Sequence, residues 1–229
     1  MTTTSRRVYD EIQNTIDYLV DADLVYFSNA ISLSPDRVSW HAHRDAPFLT
    51  GRDHPTIDQY LTWLNDGAYT AILFDGSLLQ LTYELRGGRV SGHRLAYVPC
   101  PYDVDLTLLE EGEPLADVVA LYRTTDAVLR SPMRFDYDPR AADIGHPAVH
   151  MTMNSSGCRI ACVAPLHVLR FVDFVFRQFY PDLWLAHRPF FAEASRKHVG
   201  DAALSDDDQQ TMHLMWNIHA AASGVLGGA

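Results

Sequence analysis

The chain has 229 residues and a mass of 25.8 kDa, which at ~100–200 residues per domain reads as a single domain. Hydrophobic residues make up 47% and charged residues 21%, enough for a sizeable core and against global disorder. Lys+Arg is 18 against Asp+Glu 29, a net charge of -11, so the overall field does not favour nucleic acid, and basic character would have to be local.

Ser5 to about Asp21 is predicted to be a helix. Val8, Ile12, Ile16 and Leu19 recur at three to four residues, and Ser5 can cap the start. Arg37 to His41 alternates as a short strand after the Ser34-Pro35-Asp36 turn. Asp53-His54-Pro55-Thr56 opens a second helix through Leu64, with Gly67 past its end.

The middle carries the clearest pattern. Tyr69 to Phe74, Leu78 to Arg86 and Arg89 to Val98 are strands, separated by the turn pairs Asp75-Gly76 and Gly87-Gly88. Pro99-Cys100-Pro101 ends this meander, because proline cannot donate to a ladder. Asp103 to Glu113 is acidic and loop-like. A helix follows from Glu113-Pro114 to about Leu129.

Met133 to Asp138 alternates and stops at Pro139. Val149 to Met153 and Arg159 to Val163 are two more strands around Asn154-Ser155-Ser156-Gly157. Pro165 opens a helix with a broad apolar stripe, ended by Pro181. Ser205-Asp206-Asp207-Asp208 caps a last helix reaching Ile218, its acids suited to the helix dipole. The expected fold class is α+β: a mainly antiparallel sheet of about six strands over residues 37–164, with helices packed mostly on one face, a helix at 5–21 and C-terminal helices over about 165–220.

Three cysteines, Cys100, Cys158 and Cys162, are too few for a disulfide scaffold. Cys158 and Cys162 would sit ~13 Å apart on a strand and are expected to be buried structural thiols. The N-terminus has no apolar run of the signal-peptide kind, and no run of ~18 apolar residues exists. The expectation is a cytoplasmic protein with no membrane association.

Candidate chemistry concentrates between Arg134 and His150. On a strand Asp136 and Asp138 share one face and Phe135 and Tyr137 the other. Their carboxylates would lie ~7 Å apart, a spacing that could bracket a water or a divalent ion. A core-facing aromatic pair with two solvated acids explains the same pattern. His146 and His150 would meet one turn apart on a helix, or lie ~13 Å apart on a strand. The alternation of Val149, Met151 and Met153 with His150, Thr152 and Asn154 favours the strand. The polar row that results, beside Arg134 and two acids, suits acid–base chemistry or the wet face of a one-sided sheet.

Asp75, Gln80 and Glu84 have a faint metal-nuclease spacing, although Leu85-Arg86 stands where a lysine would follow Glu84 and Asp75 is better used as a turn residue. His41-Ala42-His43 reads as a loop edge. No phosphate loop, Gly-x-Ser-x-Gly elbow, His-Glu-x-x-His or dinucleotide fingerprint occurs. No cofactor is expected beyond that divalent ion.

Several short motifs together resemble a prokaryotic family catalogued as domain of unknown function 2290. They are Arg37-Val38-Ser39-Trp40, Asp75-Gly76-Ser77-Leu78, Arg94-Leu95 with Pro99-Cys100-Pro101, Arg134-Phe135-Asp136-Tyr137-Asp138-Pro139, His146-Pro147-Ala148-Val149-His150, Cys158-Arg159-Ile160 and Phe179-Tyr180. A more local likeness is to small toxins of the TumE type, which place an Arg-aromatic-Asp strand before a histidine-rich strand. Arg134-Phe135-Asp136 and His146 to His150 occupy those places.

Two functions follow as expectations. The first is a nucleic-acid-cleaving effector of a toxin–antitoxin or phage-defence locus. Arg134 would hold a phosphate, Asp136 and Asp138 would orient a histidine or a metal, and His146 or His150 would move protons. The second is a non-catalytic acidic partner subunit, such as an adaptor, antitoxin or sensor, covering a basic co-encoded protein. Open sheet edges permit a homodimer without requiring one.

Overall fold

The computed structural model describes residues 3–40, 56–104, 115–122, 127–155 and 157–218. In chain order its elements are α1 (Thr3–Asp21), β1 (Val25–Ser28), β2 (Ser32–Leu33), β3 (Arg37–Ser39), α2 (Ile57–Asn65), β4 (Ala71–Leu73), β5 (Leu78–Arg86) and β6 (Arg89–Val98). There follow α3 (Leu115–Leu121), β7 (Met133–Tyr137), β8 (Val149–Met153), β9 (Arg159–Cys162), α4 (Val168–Phe179), α5 (Pro181–Ala186) and α6 (Arg188–Ala192). A 3₁₀ turn (Glu193–Arg196), α7 (Asp206–Gln209) and β10 (His213–Leu214) complete the described elements.

The strands form one open sheet in the order β1-β4-β5-β6-β7-β8-β9-β10, with β3 beside β5 and β2 on β3. All pairs are antiparallel except β9 with β10. The sheet has ten strands rather than about six. The additions are two- to four-residue strands, too short to show a period. Val25–Ser28 and His213–Leu214 become strands because a neighbour supplies their ladder.

Strand alternation sorts the two faces. Leu79, Leu81, Tyr83, Leu95, Tyr97, Met133, Phe135, Val149 and Met151 point to the face that carries the main core. Val8, Ile12, Ile16 and Leu19 of α1 and Phe171, Val172, Val175 and Phe176 of α4 close that core. Each helix presents the i, i+4 stripe expected of an element that buries one side. Most helical mass therefore lies on this face.

On the opposite face only the Leu78, Ala96 and Val98 end is apolar, and α2 and α3 cover it through Tyr60, Trp63, Leu64, Leu115, Val118 and Val119. The rest of that face is polar. Thr82, Glu84, Arg94, Arg134, Asp136, His150 and Thr152 project there, as the register of β5 to β8 requires.

Four predicted helix limits move. The helix expected from Pro165 starts at Val168, with His167 as its cap: His167 Nδ1 accepts from Leu169 N at 3.1 Å. Pro181, expected as a stop, is also the first residue of α5. The helix expected from 113 to 129 is helical from Leu115 to Leu121, and Leu129 is fully exposed. The last helix spans only Asp206–Gln209, capped by Ser205, because His213 and Leu214 join β9 instead. His41 to Pro55, most of the acidic loop at 103–113 and the tail from 219 lie outside the described residues.

Candidate functional site

Cross-strand pairing builds the site. Thr82 stands opposite Arg94, Arg94 opposite Asp136, and Asp136 opposite His150. These four residues form one row across β5 to β8, all on the polar face. Arg134, two residues from Asp136 on β7, shares that face and pairs with Thr152.

Four of the five predicted residues converge. Arg134 Nε donates to Asp136 Oδ2 at 2.5 Å. The same oxygen lies 3.5 Å from His150 Nε2. His150 Nδ1 donates to the Pro147 carbonyl at 2.8 Å, which assigns the proton to Nδ1 in the neutral ring and leaves Nε2 facing Asp136. His146 meets His150 edge-on, with ring centroids 5.0 Å apart. Asp136 Oδ1 and Thr152 Oγ1 are buried and have no hydrogen-bond partner among the described residues.

The expected ~13 Å gap between His146 and His150 is therefore corrected. The strand begins only at Val149. Residues before it turn back through the Asp143–His146 bridge, and Pro147 cannot extend the β8 ladder. The two rings are brought together without a helix.

Asp138 does not join them. It accepts from Arg140 Nε at 3.2 Å, and Arg140 also reaches Glu84 at 3.4 Å. Asp136 and Asp138 thus have separate cationic partners and do not bracket a common ion. Among the described residues no group of three or more His, Cys, Asp or Glu is arranged to hold a metal.

Burial sets the electrostatics. Asp136 is 7% exposed and His150 3%. Burial holds the His150 imidazole below its ordinary 6.5, against the opposing pull of Asp136. His150 is therefore a neutral base at pH 7.

Beside this group the same face opens into a cavity of about 520 Å³, lined by Arg37, Thr82, Glu84, Arg94, Asp138 and Arg140 among others. Arg94 is exposed there. Although Asp136 stands opposite it, Arg94 makes no ion pair among the described residues. Gly92 leaves the wall bare: a Cβ there would come within 3.1 Å of the Tyr137 carbonyl oxygen.

Behind the site lies a structural clamp that no sequence expectation named. His93, on the opposite face, accepts from Leu166 N through Nε2 at 2.8 Å. Tyr83 donates to the Leu166 carbonyl at 2.8 Å. The central hairpin thereby grips both polar atoms of one peptide residue and fixes where α4 starts. Full burial lowers the His93 pKa to about 4. A histidine within the apolar row of β6 was the available signal.

Other candidates resolve into structural roles. Asp75 accepts from Ser77 N at 3.0 Å and from Tyr180 OH at 2.8 Å, tying the β4–β5 turn to the end of α4. Glu84 is held by Arg140. Of the two cysteines expected to be buried, Cys162 is and Cys158 is exposed, because Cys158 precedes the first residue of β9. His41 and His43 lie outside the described residues. No helix among the described residues is long and apolar enough to cross a membrane.

No curated protein and no solved structure matches the chain. The family described as "Uncharacterized conserved protein (DUF2290)" matches residues 19–216, a span that runs from the end of α1 to just past β10 and takes in the whole polar row, and the chain belongs to that family.

Proposed function

We propose that the polar face of β6 to β8 is an acid–base site that cleaves RNA, as a nucleic-acid-cleaving effector of the kind found in toxin–antitoxin and phage-defence loci. The observation that carries this reading is the joining of Arg134, Asp136, His150 and His146 in one contiguous group. Cationic side chains in the adjoining cavity supply phosphate-binding chemistry.

In this reading His150 Nε2 takes the proton of a ribose 2′-hydroxyl. The 2′-oxygen forms a bond to phosphorus as the bond from phosphorus to the 5′-oxygen breaks. His146 gives a proton to that leaving oxygen, and a 2′,3′-cyclic phosphate remains. Asp136 stabilises the imidazolium that forms on His150, while Arg134 fixes the carboxylate.

The test is cleavage of labelled single-stranded RNA by the purified protein. His150→Ala and the more conservative His150→Gln should each lose roughly 10²-fold or more, the usual scale for a general base. A 2′-deoxy sugar at the cleaved bond should block the reaction. Undiminished cleavage by a folded His150 variant overturns the reading.

The depth of Asp136 and His150 favours a second reading, that of a non-catalytic acidic partner subunit whose polar network is purely structural. In that case the wild type cleaves nothing but binds a co-encoded protein. A monodisperse protein without affinity for any co-encoded product counts against it.

A further inference from the structure

We infer that Arg94, rather than Arg134, takes the substrate phosphate, and that the cavity it lines receives the single-stranded segment of RNA beside the cleaved bond. This rests on the catalytic reading above and deepens it.

Arg134 is unsuited to the role the sequence suggested. Its guanidinium is bound to Asp136, and its side chain is only 12% exposed. Freeing it would strip the counter-charge from a buried carboxylate, which is costly. Arg94 has none of these constraints. It is exposed, it faces the same side of the sheet, and it has no ion pair among the described residues.

Its position also fits. Arg94 and His150 flank Asp136 in the row. Two strand spacings put their Cα atoms about 10 Å apart. An arginine side chain is long enough to carry a bound phosphate part of the way from β6 toward the imidazole.

The cavity around Arg94 is prepared for an anion despite its acids. Its lining carries four arginines, Arg37, Arg86, Arg94 and Arg140, against three acids, Asp36, Glu84 and Asp138, and Arg140 holds both Glu84 and Asp138. Gly92 keeps the wall free of side chain. A volume of about 520 Å³ falls within the ~300–1,000 Å³ range of cavities that hold one small ligand. That is room for a nucleotide or two of a flexible strand. Arginine offers the planar fork that phosphate oxygens accept in pairs.

The experiment is a fluorescence-anisotropy titration with a single-stranded RNA carrying 2′-O-methyl groups, which binds but cannot be cut. Arg94→Glu should weaken binding at least ten-fold. Arg188→Glu, an exposed charge reversal on α6, should change it less than two-fold. Arg94→Ala should lower the salt dependence by about one ion released. Both residues are at the surface, and thermal melting verifies that each variant folds.

Equal losses in the two charge-reversal variants overturn the inference. So does tighter binding of a duplex, equal binding of a free nucleoside monophosphate, or no binding by the wild type. Parallel reactions with unmodified RNA separate the two readings. Cleavage by the wild type with binding indifferent to Arg94 sinks this inference alone. Arg94-dependent binding without cleavage sinks the catalytic reading alone.

Discussion

Asp136 stands directly opposite His150 in the β7–β8 pair, and one oxygen, Oδ2, faces both His150 Nε2 at 3.5 Å and Arg134 Nε at 2.5 Å. The carboxylate is shared, and the arginine holds the shorter contact. Removing Arg134 would leave a buried anion whose nearest cation source is a normally neutral imidazole. Arg134→Ala should therefore cost about 3–5 kcal/mol of stability, the range for breaking a buried pair. Urea unfolding at pH 7 measures it. A loss below about 1 kcal/mol would show that the pair is exposed in solution.

The same substitution should raise the His150 pKa. Asp136 already pulls it upward, but burial wins and the value lies below 6.5. Without Arg134 the carboxylate's pull on His150 is no longer shared with the guanidinium on the same oxygen. If His150 is the base, the ascending limb of the pH–rate profile should lie below pH 6.5 in the wild type and move to higher pH in Arg134→Ala. Histidine NMR titration checks the same shift without needing activity. An unchanged His150 titration would rule out coupling through Asp136.

How much of this was legible depends on where the partners lie. Leu78–Arg86, Arg89–Val98 and Val149–Met153 agree with their predicted limits, because alternation and glycine turns are local signals. The polar row could also be read, since Asp136 and His150 sit at alternate positions of amphipathic strands. Which residues of the row would pair could not, because register between β6 and β7 depends on chain 36 to 44 residues away. Arg94, present only as part of a motif, was not singled out as a site residue for that reason. The clamp on Leu166 was equally hidden: His93 and its partner are 73 residues apart. At the C-terminus, Met212, Leu214, Met215 and Ile218 fit a helical spacing, but docking beside β9 competes with it and wins.

His93 should make folding acid-sensitive. Its Nε2 accepts from Leu166 N, so the folded state requires the neutral ring. The folded pKa is about 4 against an ordinary 6.5. The unfolded chain binds the proton first, so stability rises with pH across this window and is lost as pH falls from about 6.5 to 4. That difference is worth about 3 kcal/mol. His150 and His167, also lowered by burial, act in the same direction. Unfolding free energies at pH 7.5 and 5 should therefore differ, and His93→Gln should reduce the difference while costing stability at pH 7.5. Equal acid sensitivity in the variant would exclude His93 as the source.

Glu11 gives a second acid-linked contribution, in a separate window. It lies on α1 and accepts from Lys197 Nζ at 3.1 Å, while His167 Nε2 lies 3.4 Å away. His167 Nδ1 is occupied as acceptor for Leu169 N, so the neutral ring carries its proton on Nε2 and presents it to Glu11. The bond from His167, with help from Lys197 and against partial burial, lowers the Glu11 pKa from 4.5 to about 2. This contribution is complete above pH 4.5 and disappears as pH falls to 2. Glu11→Gln should thus cost about 2 kcal/mol at pH 7, the scale of charge-assisted hydrogen bonds. The deficit should shrink steadily below pH 4.5, where the wild-type carboxylate also becomes neutral. Urea titrations of both proteins at pH 7, 4 and 3 test this, and a deficit independent of pH would show that Glu11 acts through packing rather than charge.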